Sequence, residues 1–289
     1  MKKIVFFTLL LCLQARADIF GEDNRREVLL DAPLKVQEIA RSVGAFVANE
    51  NINFDTYQLS GYKLQKKYFN FCSDESFAHQ QSIANCSGAL ISEDLYLTAA
   101  HCIGEYSEQE ETCKNYSVVF DYQNKTFDQK EYSVTKDDVY RCKKVVYVDA
   151  GENFFPRDVA VIQLDRKVKN RKPLKLSNRK PLLNELIYMI GFPLGISQKY
   201  VEPSPVLEVK ENKASFRHQL DTFSVNSGSP IFDEDHNILG VLVRGTGTNF
   251  KKDPHKKCNR WGRNKIEEGY GAANFSNLID LDLIKGIKK

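Results

Sequence analysis

The chain has 289 residues, 42% of them hydrophobic, enough to bury the core of one large domain or of two small ones. Its 41 Lys and Arg against 38 Asp and Glu leave a formal charge of only +3. That small surplus excludes the strongly basic footprint of a nucleic-acid or anionic-membrane binder.

The first segment sets the compartment. Lys2 and Lys3, an apolar run over residues 4–13 and the small residues Ala15 and Ala17 form the pattern of a secretory signal peptide over residues 1–17. The run is too short to span a bilayer and no later stretch is long enough, so no stable membrane association is expected after signal removal. Lys2, Lys3 and Arg16 leave with the signal, and the remaining 38 basic residues balance the 38 acidic ones. The expected location is secreted or periplasmic, and nucleic acid is not an expected partner. Residues 18–70 read as an N-terminal extension or possible pro-segment. Within them residues 37–48 carry helical spacing, and Arg25-Arg26 is a candidate processing site.

Further along, short runs rich in β-branched and aromatic residues recur between polar turns, at 89–91, 95–98, 117–122, 144–148, 159–164, 186–190 and 238–243. Asp233-Glu234-Asp235-His236-Asn237 reads as a hairpin connection. Leu278, Leu281, Ile284 and Ile287 recur every three residues behind the capping candidates Ser276 and Asn277, predicting one C-terminal helix. Many strands and one terminal helix predict an all-β barrel or sandwich.

Of seven cysteines, Cys12 leaves with the signal and six remain: Cys72, Cys86, Cys102, Cys113, Cys142 and Cys258. An even count in an exported chain points to disulfides. None of the six forms the close C-x-x-C-type pair of a zinc site, so no metal is expected, and no cofactor. Phosphate loops and dinucleotide fingerprints are absent from the sequence.

Three segments carry chemistry. The first is Cys86-Ser87-Gly88-Ala89-Leu90-Ile91, followed after a turn by Leu95-Tyr96-Leu97-Thr98-Ala99-Ala100-His101-Cys102. The second opens Arg157-Asp158-Val159-Ala160-Val161. The third is Asp221-Thr222-Phe223-Ser224-Val225-Asn226-Ser227-Gly228-Ser229-Pro230. A serine hydroxyl is a poor nucleophile until a base takes its proton, and the base needs an acid to fix its tautomer. The segments supply a single histidine, His101, together with serines and aspartates.

These blocks resemble the three signatures of the trypsin-like serine peptidases, T-A-A-H-C, D-[IV]-A-x-[ILV]-x-L and G-[DN]-S-G-[GS]-P. The resemblance runs from about Cys72 to the C-terminus. It implies two six-stranded antiparallel β-barrels with a C-terminal helix, and a peptidase domain over residues 71–289. It implies a catalytic triad of His101, Asp158 and Ser227, an oxyanion hole of the Val225 and Ser227 N–H groups, and protein or peptide substrates. It also implies a Cys86–Cys102 bridge beside the histidine. For the other four cysteines the pairing stays open; Cys113–Cys142 is favoured because each precedes a predicted strand, leaving Cys72–Cys258.

Three positions depart from or refine that pattern. Asn226 replaces the Asp that receives a newly cut N-terminus, so activation by that ion pair is not expected. With Gly191-Phe192-Pro193-Leu194-Gly195 it resembles the bacterial branch that includes the glutamyl endopeptidases. Val225 replaces Gly, and a β-branched residue opposes positive φ. A distorted oxyanion hole would favour the alternative reading, a catalytically impaired homologue serving as a binding module. For the S1 pocket the resemblance assigns Asp221, Thr222, Leu242 and Gly245. Asp221 favours a basic P1 residue, and Leu242 stands where the glutamyl enzymes need a histidine. Arg244, where the family often has an aromatic, favours acidic neighbours in the substrate.

Overall fold

The computed structural model describes residues 16–66, 69–150, 157–265 and 269–287. Of the expected signal peptide, residues 1–15 lie outside them. The elements that position the site are β1 (Arg16–Phe20), β2 (Arg25–Glu27), α1 (Leu34–Ala40), β3 (Val43–Ala48), β4 (Cys86–Ser92), β5 (Leu95–Thr98) and α2 (Gln109–Asn115). They continue with β6 (Tyr116–Val119), β7 (Val139–Ala150), β8 (Asp158–Leu164), β9 (Leu186–Gly191), β10 (Lys199–Lys210), β11 (Ser215–His218) and β12 (Thr222–Phe223). The last are β13 (Pro230–Phe232), β14 (Ile238–Gly245), β15 (Gly271–Phe275) and α3 (Leu281–Ile287).

Strands β7, β8, β5, β4, β3 and β6 pair in that order and close into the first barrel. Strands β9, β13, β14, β15, β11 and β10 form a second ring, closed by β9 pairing with β10. Closure removes the unpaired edges that open sheets expose. Apolar side chains fill each barrel: Phe46, Tyr96, Phe120 and Tyr140 in the first, Met189, Phe216 and Leu242 in the second. A third cluster, with Val47, Leu97 and Val161 from one barrel and Ile190, Phe232 and Val241 from the other, joins the two. Gly88 shows how tight the first barrel is, since a Cβ there would lie 2.2 Å from Leu97 O.

The segment read as an extension belongs to this architecture. β3 completes the first barrel, so the domain boundary expected at residue 71 falls too late. The helix expected over residues 37–48 ends at Ala40, because the following Val-Gly-Ala-Phe-Val run is buried between β4 and β6. β2 adds to the outside of β10. Arg25, the candidate processing residue, is wholly buried: its guanidinium bonds Asp23 at 2.7 and 2.9 Å and stacks over Phe77, Phe223 and Trp261. The folded chain therefore withholds that bond from a protease. The terminal helix begins at Leu281, after a short turn over Ser276–Leu278, and buries Ile284.

The three disulfides are Cys86–Cys102, Cys113–Cys142 and Cys72–Cys258, with Cα separations of 6.1, 4.9 and 5.0 Å. They match the pairing implied or favoured from the sequence.

Candidate active site

β5 ends at Thr98, and a single 3-10 turn over Ala100–Cys102 presents His101 with nearly half of its side chain exposed. Its Nδ1 lies 2.6 Å from Asp158 Oδ2, and its main-chain N–H donates to Asp158 Oδ1 at 2.9 Å. Two contacts from one carboxylate fix both the ring and the turn that carries it. Asp158 opens β8, and its own N–H donates to Asn274 Oδ1 on β15 at 3.0 Å. The second barrel thus holds the acid of the first. Sequence reasoning missed Asn274, although a polar residue inside Ala272-Ala273-Asn274-Phe275, buried in full, was a legible signal.

Ser227 lies on the turn between β12, which pairs with β1, and β13 of the second barrel. Its carbonyl accepts the Ser87 N–H at 2.8 Å. The Ser87 hydroxyl accepts from the Phe192 N–H and donates to Val225 O, both at 3.1 Å. Ser87, wholly buried on β4, therefore ties the serine turn to the first barrel. Gly228 makes the approach possible: at φ +87° a Cβ there would lie 2.0 Å from Ser87 O. Cys102 Sγ, one residue past the histidine, lies 3.7 Å from Ser227 O. Among the described contacts no hydrogen bond joins Ser227 Oγ to His101; such bonds commonly tighten only when substrate is present. Cys86, His101 and Cys102 bring three potential metal ligands within 4.8 Å, but both sulfurs are consumed in their disulfide.

Val225 adopts φ +75°, the left-handed conformation that glycine takes without strain. Its carbonyl is held by Ser87, and its side chain packs against the cluster joining the barrels. The β-branched side chain has not driven the loop out of positive φ. Asn226 is fully buried, and the N-terminal strand runs elsewhere, with Asp18 paired to Thr222.

Beside Ser227 lies a pocket of about 150 Å³ whose lining includes Thr222, Leu242, Gly245, Asp18 and Arg244. Asp221 does not line it. Both of its carboxylate oxygens accept main-chain N–H groups of the N-terminal segment, from Phe20 at 2.9 Å and Asn24 at 2.8 Å. Burial pushes the Asp221 carboxyl up to about 7, against the pull of those two N–H groups. The acid at the pocket is Asp18, whose Oδ2 accepts the Gly247 N–H at 2.7 Å and whose Oδ1 accepts Asn264 Nδ2 at 2.7 Å. A Cβ on Gly245 would lie 2.7 Å from Asp18 Oδ2 and 2.8 Å from Thr222 Oγ1, so a side chain there would fill the space between them.

Residues 86–241 match the trypsin-like peptidase domain, more than half of the chain. The chain belongs to the trypsin-like peptidase family. Membership makes it a serine endopeptidase by class. A thrombin-like enzyme, bilineobin from Agkistrodon bilineatus, is 28% identical over 219 residues, covering 70% of this chain and 84% of that protein. Among solved structures, a Glu endopeptidase superposes with a TM-score of 0.53 at 17% identity, over 93% of this chain and 97% of its own. Neuropsin from mouse brain gives a TM-score of 0.53 at 14% identity, over 86% and 95%. At such identities the structural likenesses speak for the fold alone.

Proposed function

We propose that the chain is an exported, metal-independent serine endopeptidase in which Ser227 is the nucleophile, His101 the general base and Asp158 the residue that orients it. The observation that carries this reading is the doubly bonded His101–Asp158 pair beside a serine turn anchored to the same barrel. Ser227 Oγ attacks the peptide carbonyl carbon while its proton passes to His101 Nε2. The resulting oxyanion is met by the N–H groups of Val225 and Ser227. Collapse breaks the C–N bond, the departing amine takes the proton from His101, and water then hydrolyses the acyl-enzyme by the same route. The positive φ at Val225 supports a formed oxyanion hole and removes the main motive for the binding-module reading. Three disulfides support an oxidising compartment outside the cytosol.

For P1 we favour Lys or Arg, read by Asp18 rather than Asp221. Asp18 lines the pocket with Thr222, whose buried hydroxyl has no hydrogen-bond partner among the described residues. A basic side chain would offer donors to both.

Incubation with a fluorophosphonate probe and with labelled casein tests the activity, with Ser227→Ala as control. Labelling and proteolysis that vanish in Ser227→Ala support the reading, and silence of the wild-type protein sinks it. Profiling on a P1 peptide library tests the pocket. Lys and Arg should rank highest, and Asp18→Asn should lower their kcat/KM by about tenfold or more, the worth of a charge-assisted hydrogen bond. Low-ranking Lys and Arg would refute the basic preference.

A further inference from the structure

A second cleft, of about 260 Å³, is lined by Lys210, Lys213, Ser215, Arg217, Arg244, Tyr270 and Ala272. Four of the seven residues are cationic and none is acidic. Glu208 stands at the margin, bonding Arg217 at 2.9 Å and Lys210 at 3.3 Å. Glu208, and Asp158 acting on Arg244, still leave the four cations with a formal surplus of positive charge.

The sheet explains how the cations come together. Ala272 on β15 pairs with Arg217 of β11 on one side and with Arg244 of β14 on the other. Strands lie about 4.8 Å apart, so the two arginines flank a floor no larger than a methyl group. Arg217 stacks over the Tyr270 ring at 3.8 Å and donates to its hydroxyl at 3.1 Å, which fixes the guanidinium. Burial pulls Arg244 below the ordinary arginine value, and Arg217 adds to the pull while Tyr270 and Asp158 oppose it. Two adjacent cations in a partly dry cleft are stabilised when a carboxylate enters between them.

Arg244 also lines the pocket beside Ser227, so the basic cleft and that pocket share this side chain as a common wall. β13 covers β14 only as far as Val241, and the Gly228 N–H then binds Leu242 O. Beyond Leu242 this edge of β14 is left by β13, which suits the addition of an extended peptide. A peptide whose P1 side chain fills the pocket would present the side chains just before P1 to the cleft across Arg244.

We propose that Lys210, Lys213, Arg217 and Arg244 form a subsite for acidic side chains, selecting protein substrates with Asp or Glu shortly before the P1 residue. The proposal rests on the serine endopeptidase reading. The test is kcat/KM on peptides sharing the P1 residue chosen by library profiling and carrying Glu, Ala or Lys at P2 to P4. The wild-type protein should favour Glu over Ala by about tenfold at low salt, with Lys poorest, and the preference should shrink as ionic strength rises. Arg217→Gln should bring the Glu-to-Ala ratio towards one, and Lys213→Glu, on an exposed turn outside the strands, should lower the same ratio if Arg217→Gln fails to fold. Equal rates on Glu and Ala peptides, in a protein that labels with fluorophosphonate, would overturn the subsite alone. Absence of labelling and of cleavage would overturn the endopeptidase reading and the subsite with it.

Discussion

Val225→Gly asks directly whether the oxyanion loop is formed. A non-glycine residue in the left-handed region costs about 1–2 kcal/mol, and Val225 sits there at φ +75°. Glycine removes that strain but returns about 0.5–1 kcal/mol of backbone entropy to the unfolded chain. It also loses the contact of a half-buried side chain with the apolar cluster, roughly half of the 1.5–3 kcal/mol given by complete burial. These contributions nearly cancel, so stability should change by no more than about 1 kcal/mol, read as the urea midpoint. The kinetic expectation is sharper. A missing oxyanion donor costs about 2.7–4 kcal/mol, or 10²- to 10³-fold in kcat. If valine had turned the amide away, glycine would restore a gain of that size. Because the loop already holds positive φ, kcat of the active-site-titrated variant should stay within about fivefold of wild type, equivalent to ~1 kcal/mol. A gain of a hundredfold or more, with the urea midpoint unchanged, would refute this reasoning.

Asp158→Asn should leave the fold intact and lower kcat by about 10⁴-fold, because the amide supports the wrong histidine tautomer; a loss under tenfold would remove Asp158 from its orienting role. Asp221, held up to about 7 by burial, keeps its proton in the folded state over a range where the unfolded carboxyl, near 3.8, has lost it. Its contribution to stability is therefore full below pH 4 and declines as pH rises to 7, by up to about 1.4 kcal/mol per pH unit. Urea midpoints at pH 4.5 and 7.5 should differ less in Asp221→Asn than in wild type, and an unchanged difference would discount the buried acid. Lys199, wholly buried and pulled down to about 8 by burial, bonds Glu27, Gln80 and Ser197. Lys199→Met should strand Glu27 and destabilise the protein by about 3–5 kcal/mol, with Glu27→Gln added to it recovering part of the loss.

The candidate triad was legible because each member lies in a local block whose residue types the chemistry demands. The resemblance implied the Cys86–Cys102 bridge, while the other two pairings stayed open in the sequence and are fixed by the fold. Strand β10 escaped notice because Pro203 and Pro205 and its charged residues break the alternation that marks a strand. β3 was masked by small residues that fit a helical spacing as well as a buried strand. The pocket acid was misread for a different reason. Asp221 occupies the expected place in the chain, but Phe20 and Asn24 reach it from 201 and 197 residues away and occupy both oxygens. No spacing rule within one block can report a partner that distant, and Asp18 lies even further in sequence from the loop it joins.

That N-terminal strand orders events in time. Asp18 meets Gly247 and Asn264 across 229 and 246 residues, and Cys72 meets Cys258 across 186. Contacts of such range form late and slowly. On a chain made from its N-terminus, the pocket's acid arrives first and waits for the strand that completes the wall. A partly made chain cannot hold the finished pocket, so its wall closes only when nearly all of the chain is present.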